Sequence, residues 1–79
     1  MIMTVIVECI EGYGDWTVGH RYAGELEAGG FIGLKSDDPE DDYLWSADSR
    51  QEYDRGTDTF ATLWFLPGID GVLFREVEQ

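Results

Sequence analysis

The chain has 79 residues, with 17 Asp and Glu against five Lys and Arg, a net charge of −12 and a pI near 4.1. This length leaves room for one domain, residues 1–79, and a surface so acidic would repel a phosphate backbone, which excludes direct binding of nucleic acid. Three Trp, four Tyr and four Phe can each remove roughly 150–250 Å² from water, enough to favour a folded core over disorder without disulfide or metal.

Met1–Val7 lacks a basic leader segment, and Glu8 ends its apolar run far short of a membrane span, so neither a signal peptide nor a membrane helix is expected. The lone Cys9 cannot form an internal bridge and points to a reducing cytoplasm. Thr4–Ile10 is rich in β-branched residues and reads as a first strand, with Val5, Val7 and Cys9 on one face. Glu11–Asp15 breaks it. Trp16–Tyr22 leads into a second strand in which Tyr22, Gly24 and Leu26 alternate with Arg21, Glu25 and Glu27.

Ala28-Gly29-Gly30 is a turn, and Phe31–Lys35 returns as the other arm of a hairpin. Ser36–Asp42 is turn chemistry crowded with carboxylates, after which Tyr43–Ser46 resumes an extended apolar stretch in a second hairpin. The polar segment 47–55 suits a helical turn capped by Ser46 or Asp48, ended by Gly56 and anchored by Tyr53. Thr57–Leu66 and Val72–Val77 read as closing strands around a Pro67–Gly71 turn. No stretch keeps a 3.6-residue apolar period. The expected fold is mostly β: a small antiparallel SH3-like barrel or curled sheet of five to six strands with at most one short helix. The competing arrangement is a flat sheet with segment 47–55 packed on one face as a helix.

Catalytic chemistry finds little footing. His20 is the one histidine and stands beside Arg21 without a recognisable nucleophile motif, and Cys9 lies within an apolar strand as a small hydrophobe would. Gly12-Tyr13-Gly14 and Gly29-Gly30 match no phosphate-cradling pattern. Asp38, Glu40 and Asp42 alternate at the spacing of oxygen ligands in a calcium loop, yet an EF-hand begun at Asp38 would place Tyr43 and Ser49 where glycine and glutamate are required. No catalytic residue, metal site or cofactor is expected.

The acidity itself is the positive signal. Carboxylates two residues apart on a strand lie about 6.5 Å from each other, which pairs Glu25 with Glu27 and Glu76 with Glu78, while Asp37–Asp42 concentrates charge at a loop tip. Arginines that grip phosphate bind such groups bidentately. The expected partner-binding residues are Asp37, Asp38, Glu40, Asp41 and Asp42, with Glu25 and Glu27 alongside; the alternative is a merely solvated acidic face.

The segments Trp16-Thr17-Val18-Gly19-His20-Arg21-Tyr22, Gly30-Phe31-Ile32-Gly33-Leu34, Asp37-Asp38 and Tyr43-Leu44-Trp45 resemble a pattern in small bacteriophage proteins with SH3-like barrels, over roughly residues 16–54. Size and acidity also look like the phage-encoded inhibitors of bacterial immunity, the anti-CRISPR proteins, several of which are acidic DNA mimics. That resemblance implies a partner such as a Cas effector subunit or another DNA-binding host enzyme, met in the bacterial cytoplasm, whose basic site the chain would occupy. Two other readings stay open: an SH3-like structural or peptide-binding module using Trp16, Tyr43 and Trp45, and an antitoxin-like partner of a basic toxin or nuclease. The chain is expected as a monomer or a homodimer, with Val72–Val77 as an edge for pairing across a twofold axis.

Overall fold

The structure is a computed structural model that describes residues 3–77. Six antiparallel strands, β1 (Thr4–Glu11), β2 (Arg21–Leu26), β3 (Ile32–Leu34), β4 (Trp45–Asp54), β5 (Thr59–Phe65) and β6 (Leu73–Val77), follow one another around a closed barrel. The barrel form of the expected fold is therefore the one adopted, and β1 closes it by pairing with β6 across a bulge between Cys9 and Glu11. Among the described residues the helical content is a single 3₁₀ turn at Ala28–Gly30. Closure suits so small a chain because it removes most of the sheet edges that would otherwise need protection.

The inner face follows the alternation expected of β1. Val7 stands opposite Tyr22 and Val5 opposite Gly24, while Cys9 faces Phe74. Phe74 is fully buried and meets Trp16 at 5.4 Å and Tyr22 at 5.6 Å in edge-to-face geometry. Trp16 and Tyr22 are themselves 5.2 Å apart, so three rings form the centre of the core. Ile32, Leu34, Ala47, Trp64, Leu66 and Val72 complete it. Gly24 makes room on the other side: a Cβ there would lie 2.8 Å from Ile32 Cδ1 and 3.0 Å from Leu34 Cδ2. Leu26, expected inside, is exposed at the rim, where its amide donates to the Met3 carbonyl.

Two expectations are overturned. Segment 47–55 is not helical, and the flat-sheet arrangement that depended on it falls with it. Residues Asp48 to Asp54 pair in unbroken register with Phe65 to Thr59. The physical reason is an alternation of period two: Asp48, Arg50, Glu52 and Asp54 occupy one face and Ser49, Gln51 and Tyr53 the other. Arg50 stacks over Phe65 of β5 at 5.9 Å, a cross-strand contact, and pairs along its own strand with Glu52 at 3.0 Å. Secondly, β6 is not an edge, since it bonds β5 on one side and β1 on the other. Among the described residues, β4 pairs with β3 over Trp45–Ala47 and β5 pairs with β6 over Leu63–Phe65. Beyond those points the two strands continue as a ribbon.

The up-and-down order sets the ends apart. The connections 12–20, 35–44 and 66–72 converge at one end, the loop end, while the β4–β5 hairpin turn lies at the other, the ribbon end.

A candidate binding groove at the loop end

The three converging loops enclose a groove of about 220 Å³ lined by Tyr13, Asp15, Trp16, Asp41, Trp45 and Ile69, together with Gly14 and Ser36. Core residue Trp16 contributes to it, and its lining draws on all three loops. Tyr43 lies edge-on to Trp45 at 5.0 Å and extends the aromatic wall outward. Tyr13 and Tyr43 are 74% and 62% exposed, a large apolar commitment to solvent in a chain this short. Gly12 allows the first loop to fold tightly enough to present Tyr13, because a Cβ there would collide with the Trp16 carbonyl oxygen.

Carboxylates hold this end together. Asp37 accepts hydrogen bonds from Thr17 Oγ1 at 2.7 Å and from the Tyr22 hydroxyl at 3.0 Å, and His20 Nδ1 lies 3.6 Å away. Partial burial opposes its charge, but the donors Thr17, Tyr22 and His20 outweigh that and hold the carboxyl below its ordinary value. Burial, together with the neighbouring Asp37 carboxylate, pushes Tyr22 up to about 12. The Asp37 amide in turn donates to the Asp15 carbonyl at 3.0 Å, so this residue ties the second loop to the first through both backbone and side chain.

Asp41 organises the second loop itself. The Tyr43 amide donates to it at 3.0 Å, the Trp45 indole N–H at 3.2 Å and the Ser36 hydroxyl at 3.3 Å. These donors, the Tyr43 amide foremost, keep its carboxyl ionised below the usual range. Asp38 accepts the Glu40 amide at 3.0 Å in a local turn. The partner-binding set expected from sequence is thereby divided. Asp37 and Asp41 are committed to structure and Asp38 largely to its own turn. Glu40 has no side-chain partner among the described contacts, and Asp42 meets only Lys35 at 3.4 Å with its side chain 93% exposed.

Glu25 and Glu27 do not join this loop network. Glu25 stands on the outer face opposite Thr4 and Gly33, and Glu27 accepts the Ser46 hydroxyl at 3.5 Å. A larger, shallow concavity of about 440 Å³ beside Glu27, Ala28, Phe31 and Ser46 carries only that pair as its polar wall. Glu76 accepts the Trp64 indole N–H at 3.0 Å, and its expected companion Glu78 lies outside the described residues. Sequence reasoning missed Tyr13 and Ile69. The signal for Tyr13 was present as an aromatic residue between two glycines, in a segment read as a strand break and weighed for phosphate binding.

The reactive side chains are occupied. The Cys9 thiol is buried and donates to the Glu11 carbonyl at 3.1 Å; burial, then the Asp37 charge, push it up. Among the described residues no group of three or more His, Cys, Asp or Glu is placed to hold a metal ion, and no helix is long and apolar enough to cross a membrane. Comparison with protein-family models, with curated proteins and with solved structures yields no match. What fold and site define together is a closed six-stranded barrel presenting an aromatic groove among acidic loops.

Proposed function

We propose that the chain is a non-catalytic binding protein that docks its loop end onto a basic surface of another protein, acting as an acidic inhibitor of the anti-CRISPR type that occupies a site intended for DNA. The carrying observation is the coincidence of two features at one end. An exposed aromatic groove has Asp15 in its lining, and the 35–44 connection at the same end carries Glu40 and the exposed Asp42, whose one charged contact among the described residues is Lys35. Charge of this density steers a cationic partner and accelerates encounter, whereas apolar contact with Tyr13, Tyr43 and Trp45 sustains the complex once formed. The partner in this reading is a Cas effector subunit or another DNA-binding enzyme of the bacterial cytoplasm.

The groove also supports a second reading, in which an extended peptide binds with little electrostatic contribution. Salt separates the two. The chain, immobilised and exposed to a bacterial lysate containing CRISPR effectors and nucleases, is washed at about 0.1 M and then about 1 M salt. The inhibitor reading expects a DNA-binding enzyme that is released by salt and displaced by DNA. A partner retained at high salt and indifferent to DNA would refute it in favour of the peptide module.

A further inference from the structure

The lining of the loop-end groove is more selective than an apolar patch edged with charge. It brings together three aromatic side chains, Tyr13, Trp16 and Trp45, and two carboxylates, Asp15 and Asp41, with none of the chain's five Lys and Arg among them. Trp45 is fixed from two sides. Its indole N–H donates to Asp41 at 3.2 Å, and its ring meets Tyr43 edge-to-face at 5.0 Å. Tyr13 is held through its backbone, where its carbonyl accepts the Trp16 amide at 3.2 Å. Its ring is 74% exposed and packs against no other ring among the described residues.

The two carboxylates are not equivalent. Both oxygens of Asp41 are engaged, Oδ1 by the Tyr43 amide and Oδ2 by the Trp45 indole and the Ser36 hydroxyl. Asp15 accepts the Asp37 amide through its backbone carbonyl, while its exposed side chain has no hydrogen bond or ion pair among the described residues. An aromatic slot with one uncommitted carboxylate therefore lies open to solvent. Its volume, about 220 Å³, falls below the roughly 300–1,000 Å³ of sites that take whole small ligands, and suits one long side chain rather than a length of peptide.

We propose that this groove is a socket for a single arginine side chain of the docked protein, its guanidinium lying against the aromatic rings and donating to Asp15. The ring faces carry negative potential and attract a cation, and the guanidinium fork matches a carboxylate bidentately. Trp16 and Ile69 offer apolar surface to the methylene stem. Lysine fits less well, because its compact ammonium is strongly hydrated and costs more to bring into an aromatic slot than the planar, weakly hydrated guanidinium. The inference rests on the reading that the loop end docks on a basic protein, and it adds that the groove selects arginine, where the surrounding charge attracts any cation.

Three capped tripeptides, with glycine on either side of arginine, lysine or leucine, test it by NMR titration at about 0.1 M salt. The arginine and lysine peptides carry equal charge, so the field of a chain of net charge −12 attracts them alike and only the groove tells them apart. The arginine peptide should bind with a Kd on the order of 1 mM, move the Trp45 indole and Asp15 amide signals, and exceed the lysine peptide by at least about threefold. Tyr13→Leu keeps apolar bulk but removes the ring, and should weaken the arginine peptide about two- to fivefold. Asp15→Asn should weaken it at least about threefold, and neither change should affect the leucine peptide. Equal binding of arginine and lysine peptides, with their ratio unmoved by either substitution, would overturn the socket; shifts still centred on the loop end would leave docking by charge standing. A leucine peptide that binds as tightly as the arginine peptide would overturn it as well. The docking reading fails separately, when neither cationic peptide moves any loop-end signal.

Discussion

The two ends of the barrel use charge in opposite ways. At the loop end, carboxylates are drawn onto donors supplied by Thr17, Tyr22, Ser36 and Trp45, and three irregular connections are bound into one surface. At the ribbon end, the charges of β4 sit on one face and pair along their own strand, while β5 carries none over Thr59–Phe65. The same acidic composition therefore stiffens one end and leaves β5 uncharged towards the other. What decides the difference is whether neutral donors lie within reach, since a carboxylate with several hydrogen-bond donors is stabilised where an isolated one is merely solvated.

The largest expected effect tests what both ends share. Phe74→Ala removes the ring against which Trp16 and Tyr22 pack, and should lower stability by about 3–5 kcal/mol in urea denaturation, enough to loosen loop and ribbon ends together. Gly24→Ala is expected to cost about 1–3 kcal/mol by forcing Ile32 and Leu34 from their rotamers, again without preference for either end.

The next two changes are confined to the loop end. Tyr22→Phe loses the hydroxyl that joins Asp37 to the Thr17 amide and should cost about 1 kcal/mol near neutral pH. Its pH dependence is more diagnostic. The folded state holds the Tyr22 proton more tightly, from 10.0 up to about 12, so stability is intact below pH 10 and falls as pH rises towards 12; the phenylalanine variant should lose most of that fall. Asp37 works in the other direction. Its lowered carboxyl stabilises the fold above the ordinary value of 3.8, and that contribution disappears as pH drops below it. Asp37→Asn should therefore narrow the stability difference between pH 6 and pH 2, measured by thermal melts. The smallest effect is local: Asp41→Asn should release the Trp45 indole and shift its fluorescence towards that of a more hydrated ring, with little change in melting temperature.

Much of this organisation was legible in the sequence, and its failures have physical causes. Alternation in β2 and the glycine turn at Ala28–Gly30 located the β2–β3 hairpin because one face had to be buried. Segment 47–55 was misread because its alternation is between charged and neutral polar residues, which hydrophobic periodicity does not register. The Asp37–Asp42 run was correctly placed in a loop between strands, but composition does not distinguish a carboxylate that faces solvent from one that reaches Tyr22 fifteen residues away. Likewise Ile69 joins the groove only because β5 and β6 return their connection to the same end.

The central claim, that the loop end joins charge to an aromatic groove in binding a basic partner, is tested most directly by NMR titration with two peptides of equal positive charge, one alternating arginine with leucine and the other arginine with glycine. The account predicts that the leucine peptide binds more tightly and perturbs the Trp45 indole and Tyr13 amide signals most, with Glu40→Gln/Asp42→Asn weakening both peptides. Equal binding of the two peptides, with shifts scattered over the acidic surface and the groove signals unmoved, would contradict it.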